Sequence, residues 1–165
     1  MSAAVKLTAE YLALQQAHAT CKTHAAALGD ALDDLAQRNL FAADLDRLNK
    51  EDRRLLDQFA YRYTRLQDDM GARLIPAALR ALGEELAAMP VLDRLSRMEQ
   101  LGWLLDAEQW NELRRIRNEF THDYPEPLAG QFERLQLARV SAQMQVEIFN
   151  GMSIKIHMRF PTLAE

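Results

Sequence analysis

The sequence predicts an all-α bundle of four to five helices, and two observations carry that prediction. Ala, Leu, Gln, Glu and Arg dominate the chain, whereas Gly and Pro number 6 and 5. The dominant types favour helices strongly. Apolar residues also recur three and four positions apart through most of the 165 residues, which is the period of one helical face. A chain of this length reads as a single domain, residues 1–165, large enough to bury a real core.

Residues 1–7 are expected to fray. Thr8 caps a first helix running to about Gln37, with Glu10 in the first turn where the dipole favours an acid. Leu12, Leu14, Ala17, Cys21, Leu28, Leu32 and Leu35 form its apolar side. His18 and His24 fall on different faces, and no Asp, Glu or Cys at helical spacing completes a ligand set. Both read as surface or core-edge residues. Cys21 is the lone cysteine, which rules out an intramolecular disulfide and reads as a buried, inert thiol.

Arg38–Asn49 is a break with room for a short helical turn. Asn49 caps a second helix from about Lys50 to Gly83, with Glu51 and Asp52 in its first turn. Leu55, Phe59, Leu66, Met70 and Leu74 keep helical spacing. Gly71 and Pro76 sit inside this helix, so a kink or break is expected near Ile75. Arg65 and Asp69 are spaced as an intrahelical pair. The functional alternative is that Arg65 or Asp68 faces the later motif helix and orients its side chains. Tyr61 and Tyr63 read as packing residues rather than base-stacking ones.

Pro90 starts a third helix, patterned by Val91, Leu92, Leu95, Met98, Leu101 and Leu105. Gly102 and Asp106 punctuate it, and Asp106 with Glu108 and Gln109 is placed to cap the next helix. That helix is expected to run to about Tyr124, where Pro125 stops it. On a helical wheel it has three faces. Trp110, Leu113, Ile116 and Phe120 form the apolar stripe. Arg117, Thr121, Arg114, Asn118, Asn111, His122 and Arg115 form a cationic and polar arc without an acid, and Glu112, Glu119 and Asp123 group together.

A final helix is expected from about Leu128 to Phe149, with Phe132, Leu135, Val140, Met144 and Ile148 inward. Asn150-Gly151 reads as a helix stop. The tail Ser153–Phe160 alternates polar and apolar residues, the signal of a short strand-like segment, which would pair with its copy or with a partner chain. Its rival is a helix that simply continues to residue 160.

The charge pattern narrows the function. A net charge of −4 argues against indiscriminate attraction to nucleic acid. Against that background, an arc of Arg, Asn and His is what a phosphate needs: Arg offers a fixed fork of donors, and His moves a proton near neutral pH. For RNA this set suffices without a metal or another cofactor, because the 2′-hydroxyl is the nucleophile. Asn118 and His122 face away from the apolar stripe, where charges are well screened. Two copies of the helix facing each other would make a stronger, composite site on a twofold axis. No signal peptide and no run of ~20 apolar residues is seen, so a soluble, cytoplasmic protein without membrane contact is expected.

Arg117-Asn118-x-x-x-His122-x-Tyr124 resembles the Arg-x4-His-x-Tyr motif of the HEPN superfamily, in its HepT-like toxin branch. The segment Tyr61–Leu74 is also similar to HepT-like chains. The resemblance implies an up-and-down helical bundle that forms a homodimer. It also implies a metal-independent endoribonuclease toxin acting on RNA. A further implication is a minimal nucleotidyltransferase antitoxin that inhibits the toxin by AMPylation of the motif tyrosine. By position, Arg117 and His122 would be catalytic, Asn118 would support them, and Tyr124 would accept AMP. Arg114, Thr121, Arg65 and Asp68 stand as supporting candidates. The Pro125-Glu126-Pro127 connector is read either as holding Tyr124 accessible or as letting it pack over the helix end. The alternative function is a non-catalytic helical adaptor, or substrate-binding subunit, of a nucleotidyltransferase.

Overall fold

Local capping chemistry sets where the first two helices begin. Thr8 Oγ1 accepts the Tyr11 amide at 3.3 Å, and α1 (Ala9–Ala36) follows. A short 3-10 turn at Ala42–Asp44 then crosses the break, tied by the Phe41 amide donating to Asp44 Oδ2 at 2.8 Å. Asn49 Oδ1 accepts the Asp52 amide at 2.8 Å and opens α2 (Lys50–Asp69). The structure, a computed structural model, describes residues 8–122 and 125–161.

The long second helix predicted through to Gly83 is not uniform. A π turn at Met70–Leu74 separates α2 from α3 (Ile75–Ala81), and Pro76 lies in the first turn of α3. Proline has no amide to give the preceding turn and its ring presses on that turn's carbonyl. The wider π turn carries the chain past that conflict by taking in one extra residue. α3 closes at Gly83, with φ +88°, and the Glu84 amide reaches back to Leu79 O at 3.0 Å. α4 (Val91–Gln100) closes the same way, with Gly102 at φ +77° and the Trp103 amide on Met98 O at 3.0 Å. Only a residue without a Cβ takes that backbone cheaply. α5 (Ala107–Phe120) starts with its Ala107 amide on the Glu99 carboxylate at 2.8 Å. α6 (Leu128–Arg159) completes the chain, and the described residues contain no strand. Among them, no helix is long and apolar enough to cross a membrane.

The expected strand-like tail is therefore helix, running straight through Asn150 and Gly151. Burial explains why: Phe149, Met152, Ile156 and Phe160 are inside at steps of three and four, while Ile154 and Met158 are 60% and 72% exposed. Those two exposed residues create the apparent alternation. Gly151 does not stop the helix because its amide and carbonyl fit the ladder like any other residue's. Val140, expected inward, is 61% exposed, and Ala138, Ser141, Ala142 and Gln145 take the buried positions of that stretch instead.

The described chain forms two compact units. The first gathers the start of α1, residues 68–107 and the end of α6. Leu14, Met70, Leu74, Leu79, Met98 and Met152 are fully buried in it. Phe160 meets Tyr11 edge-on with centroids 5.1 Å apart, and His18 meets Phe149, so α1 and α6 run antiparallel here. His18 is buried rather than at the surface, its Nε2 within 2.8 Å of Ser153 Oγ. Burial, followed by the charges of His157 and Lys22, holds its pKa below the ordinary 6.5. Cys21 is buried as expected, and that burial, with Asp69 adding to it, pushes its thiol pKa up to about 12.

The second unit comprises residues 23–67 and 108–147, that is, the rest of α1, α2, α5 and the first half of α6. Leu28, Leu35, Phe59, Tyr63 and Leu66 are fully buried, with Trp110, Leu113 and Leu135 nearly so. His24 is buried too: its Nδ1 lies 3.0 Å from Arg62 Nη1, and its ring meets Tyr61 edge-on. The two histidines thus serve separate local contacts, one in each unit.

Candidate functional site

The site belongs to the second unit and is built on α5. Trp110, Leu113 and Ile116 point inward as the predicted stripe. Phe120 anchors the helix end, its ring edge-on to Phe59 at 5.8 Å and to Tyr63 at 5.7 Å. Tyr63 stacks on Phe59 and donates its hydroxyl to Ser141 Oγ at 2.9 Å. Both predicted packing tyrosines of α2 are used in this unit, Tyr63 at its centre and Tyr61 against His24 near the surface.

This aromatic base fixes the polar face above it. Arg117 is half-buried, and Asn118, Thr121 and His122 are exposed. Arg117 Nη1 donates to Asn118 Oδ1 at 3.3 Å and reaches Thr121 Oγ1 at 3.5 Å. Thr121 Oγ1 in turn donates to the Asn118 carbonyl at 3.0 Å. Three sequence candidates therefore form one hydrogen-bonded set. Burial raises the pKa of Tyr63, and this is opposed by its bond to Ser141 and by the nearby Arg117 charge.

The motif helix ends earlier than the sequence predicts. α5 stops at Phe120, not near Tyr124. The Thr121 amide still bonds Arg117 O at 3.2 Å, while the His122 amide bonds Glu119 O at 3.2 Å, a tighter turn that closes the helix. His122 thus stands just beyond the helix, off the predicted wheel position. Tyr124, the predicted AMP acceptor, lies outside the described residues.

The cationic arc is also narrower than predicted. Arg115 turns aside to pair with Glu112 and Glu119, so its charge is already countered. Those partners push its pKa up, beginning with the hydrogen bond to Glu112. Arg114 remains exposed on α5. Arg65 and Asp68 occupy exposed positions of α2, Asp68 within the first unit.

Sequence reasoning misses Arg134, on α6. Its Nη1 donates to the Glu119 carbonyl at 3.1 Å and to the His122 carbonyl at 2.9 Å. Its Nη2 pairs with the Glu126 carboxylate at 3.0 Å. Only the regular Glu126, Gly130, Arg134 spacing could have pointed to it. The arrangement offers the donors of Arg117 and Asn118 to an anion on an exposed helix face, with His122 exposed just after it.

No family model matches the chain, and neither a curated protein nor a solved structure matches it.

Proposed function

We propose that this chain is a HEPN-type, metal-independent endoribonuclease, the toxin of a pair whose antitoxin is a nucleotidyltransferase. The observation that carries the reading is the Arg117, Asn118 and Thr121 set, with His122 exposed directly after it. The motif that it resembles supplies the reaction class.

The chemistry follows from what these groups can do. A base removes the 2′-hydroxyl proton, and the 2′-oxygen forms a bond to the adjacent phosphorus. The bond from phosphorus to the 5′-oxygen breaks, and an acid protonates that leaving oxygen. The products are a 2′,3′-cyclic phosphate and a 5′-hydroxyl. Arg stays charged throughout, so Arg117 stabilises the phosphorane charge and His122 carries the protons. Asn118 holds Arg117 in place. One imidazole cannot be base and acid in the same step. A homodimer with two His122 side chains over one phosphate supplies both, which is why a composite site suits this motif. AMPylation of Tyr124, two residues after His122 in the sequence, would add a bulky anion and oppose RNA binding by like charge.

The test is RNA cleavage in EDTA by wild type and by His122→Ala. Intact mass is checked first, so that an AMP adduct does not hide activity. Cutting by unmodified wild type alone supports the reading. Equal cutting by both proteins removes His122 as the catalytic group, and cutting by neither removes the reading in favour of the adaptor.

A further inference from the structure

Arg134 binds main chain before residues 123–124 and a carboxylate after them with one guanidinium. Two bonds go to the carbonyls of Glu119 and His122, and an ion pair goes to the Glu126 side chain. The last carbonyls of a helix lack partners within the helix. From another helix, α6, Arg134 adds a second donor to the Glu119 carbonyl, which also accepts the His122 amide. Gly130 is part of the arrangement. A Cβ there would lie 3.3 Å from Glu126 Oε2 and 3.7 Å from its Cβ and Cδ. The Glu126 side chain therefore lies along the first turn of α6 and reaches Arg134 across a residue with no side chain. Gln131 adds a further hold, its Nε2 donating to the Glu126 carbonyl at 3.0 Å.

We infer that Arg134 is a positioning residue for His122: it fixes the backbone from which the imidazole projects, and with it the distance from imidazole to phosphate. The inference rests on the nuclease reading of the site and adds a residue that acts through the backbone of His122. His122 has left the ladder of α5, so the regular helix no longer sets its place. The bond from its amide to Glu119 O, at 3.2 Å, and the bond from Arg134 to its carbonyl, at 2.9 Å, do so instead. A planar fork with several donors can hold two carbonyls and a carboxylate at once, whereas a lysine ammonium cannot match those three directions. Rate depends steeply on such placement, and a displacement of about 1 Å costs on the order of 100-fold.

The experiment uses the full-length chain and three variants: Arg134→Gln, Arg134→Lys and Gly130→Ala. Steady-state cleavage gives kcat and KM, a thermal melt checks the fold, and backbone 15N relaxation reads the mobility of the His122 amide. The expected result for Arg134→Gln is a kcat lower by about 10- to 100-fold, with KM and melting temperature little changed and a more mobile His122 amide. Arg134→Lys falls with it. Gly130→Ala shifts Glu126 and gives a smaller loss in the same direction. If Arg134→Gln cuts at the wild-type rate, the positioning role is overturned and the nuclease reading stands. If wild type itself does not cut, the nuclease reading fails. The His122 amide then decides the remainder: unchanged mobility in Arg134→Gln overturns the brace, and raised mobility supports it.

Discussion

Tyr63 Oη donates to Ser141 Oγ at 2.9 Å inside the second unit, joining α2 to α6 through two buried polar side chains. The same ring stacks on Phe59 and receives the edge of Phe120, so it is also the floor on which the end of α5 rests.

Replacing Tyr63 by Phe keeps the stacking and removes the hydrogen bond, leaving the Ser141 hydroxyl buried without that donor. The expected loss is about 1 kcal/mol, read as a drop of roughly 2–4 °C in melting temperature. The double variant Tyr63→Phe with Ser141→Ala should recover part of it, because no buried polar group is then left over. A double variant less stable than both singles counts against a direct bond.

Gly151→Ala tests the helical tail. A Cβ at Gly151 would meet nothing within 4 Å, and alanine is the better helix former by about 1 kcal/mol. The urea midpoint should rise. A fall would mean that the segment does not pass through position 151 as regular helix.

Acid should weaken the first unit through His18. Its pKa is lowered by burial first and then by His157 and Lys22, while Ser153 and Phe149 of α6 also face it. The unfolded chain therefore takes up the proton more readily. This contribution to stability is full above the ordinary value of 6.5 and declines as pH falls through it, levelling off below the folded-state pKa. His18→Gln retains a partner for Ser153 but does not titrate. The gap between melting temperatures measured at about pH 7.5 and about pH 5.5 should be smaller in the variant than in wild type.

The two neighbouring arginines of α5 should behave differently. On the proposed nuclease reading, Arg117→Gln removes the charge that would stabilise the phosphorane and should lower cleavage by roughly 100-fold or more. Arg115 is already engaged by Glu112 and Glu119. Arg115→Gln should change the rate by less than about threefold, since exposed ion pairs are worth little. Equal losses for both would mean that the cationic arc works as a whole.

Much of the fold is written locally and could be read there. Thr8 and Asn49 mark helix starts through their own side chains, and Gly83 and Gly102 mark ends through backbone that other residues avoid. The tail misled because two exposed apolar residues, Ile154 and Met158, mimic a period of two. The burial of His18 and His24 depends on partners over a hundred and nearly forty residues away, respectively, which no local pattern records. In the site, Arg117, Asn118 and Thr121 were legible because they share one helix face. Arg134 was not, because two of its three partners are carbonyls, and a carbonyl has no letter in the sequence.

The π turn at Met70–Leu74 has a consequence for how this chain tolerates length changes. Such a turn holds a surplus residue in an otherwise regular helix. A one-residue deletion within it would let the backbone revert to ordinary α-helical winding, keeping its hydrogen bonds. Because a π turn spans one residue more than an α turn, the side chains of α3 would keep nearly their present facing. Ile75, Ala78 and Leu79 would stay inside the first unit. The surplus residue thus acts as slack: one residue can be lost here without turning the inward residues of α3 away from the core side.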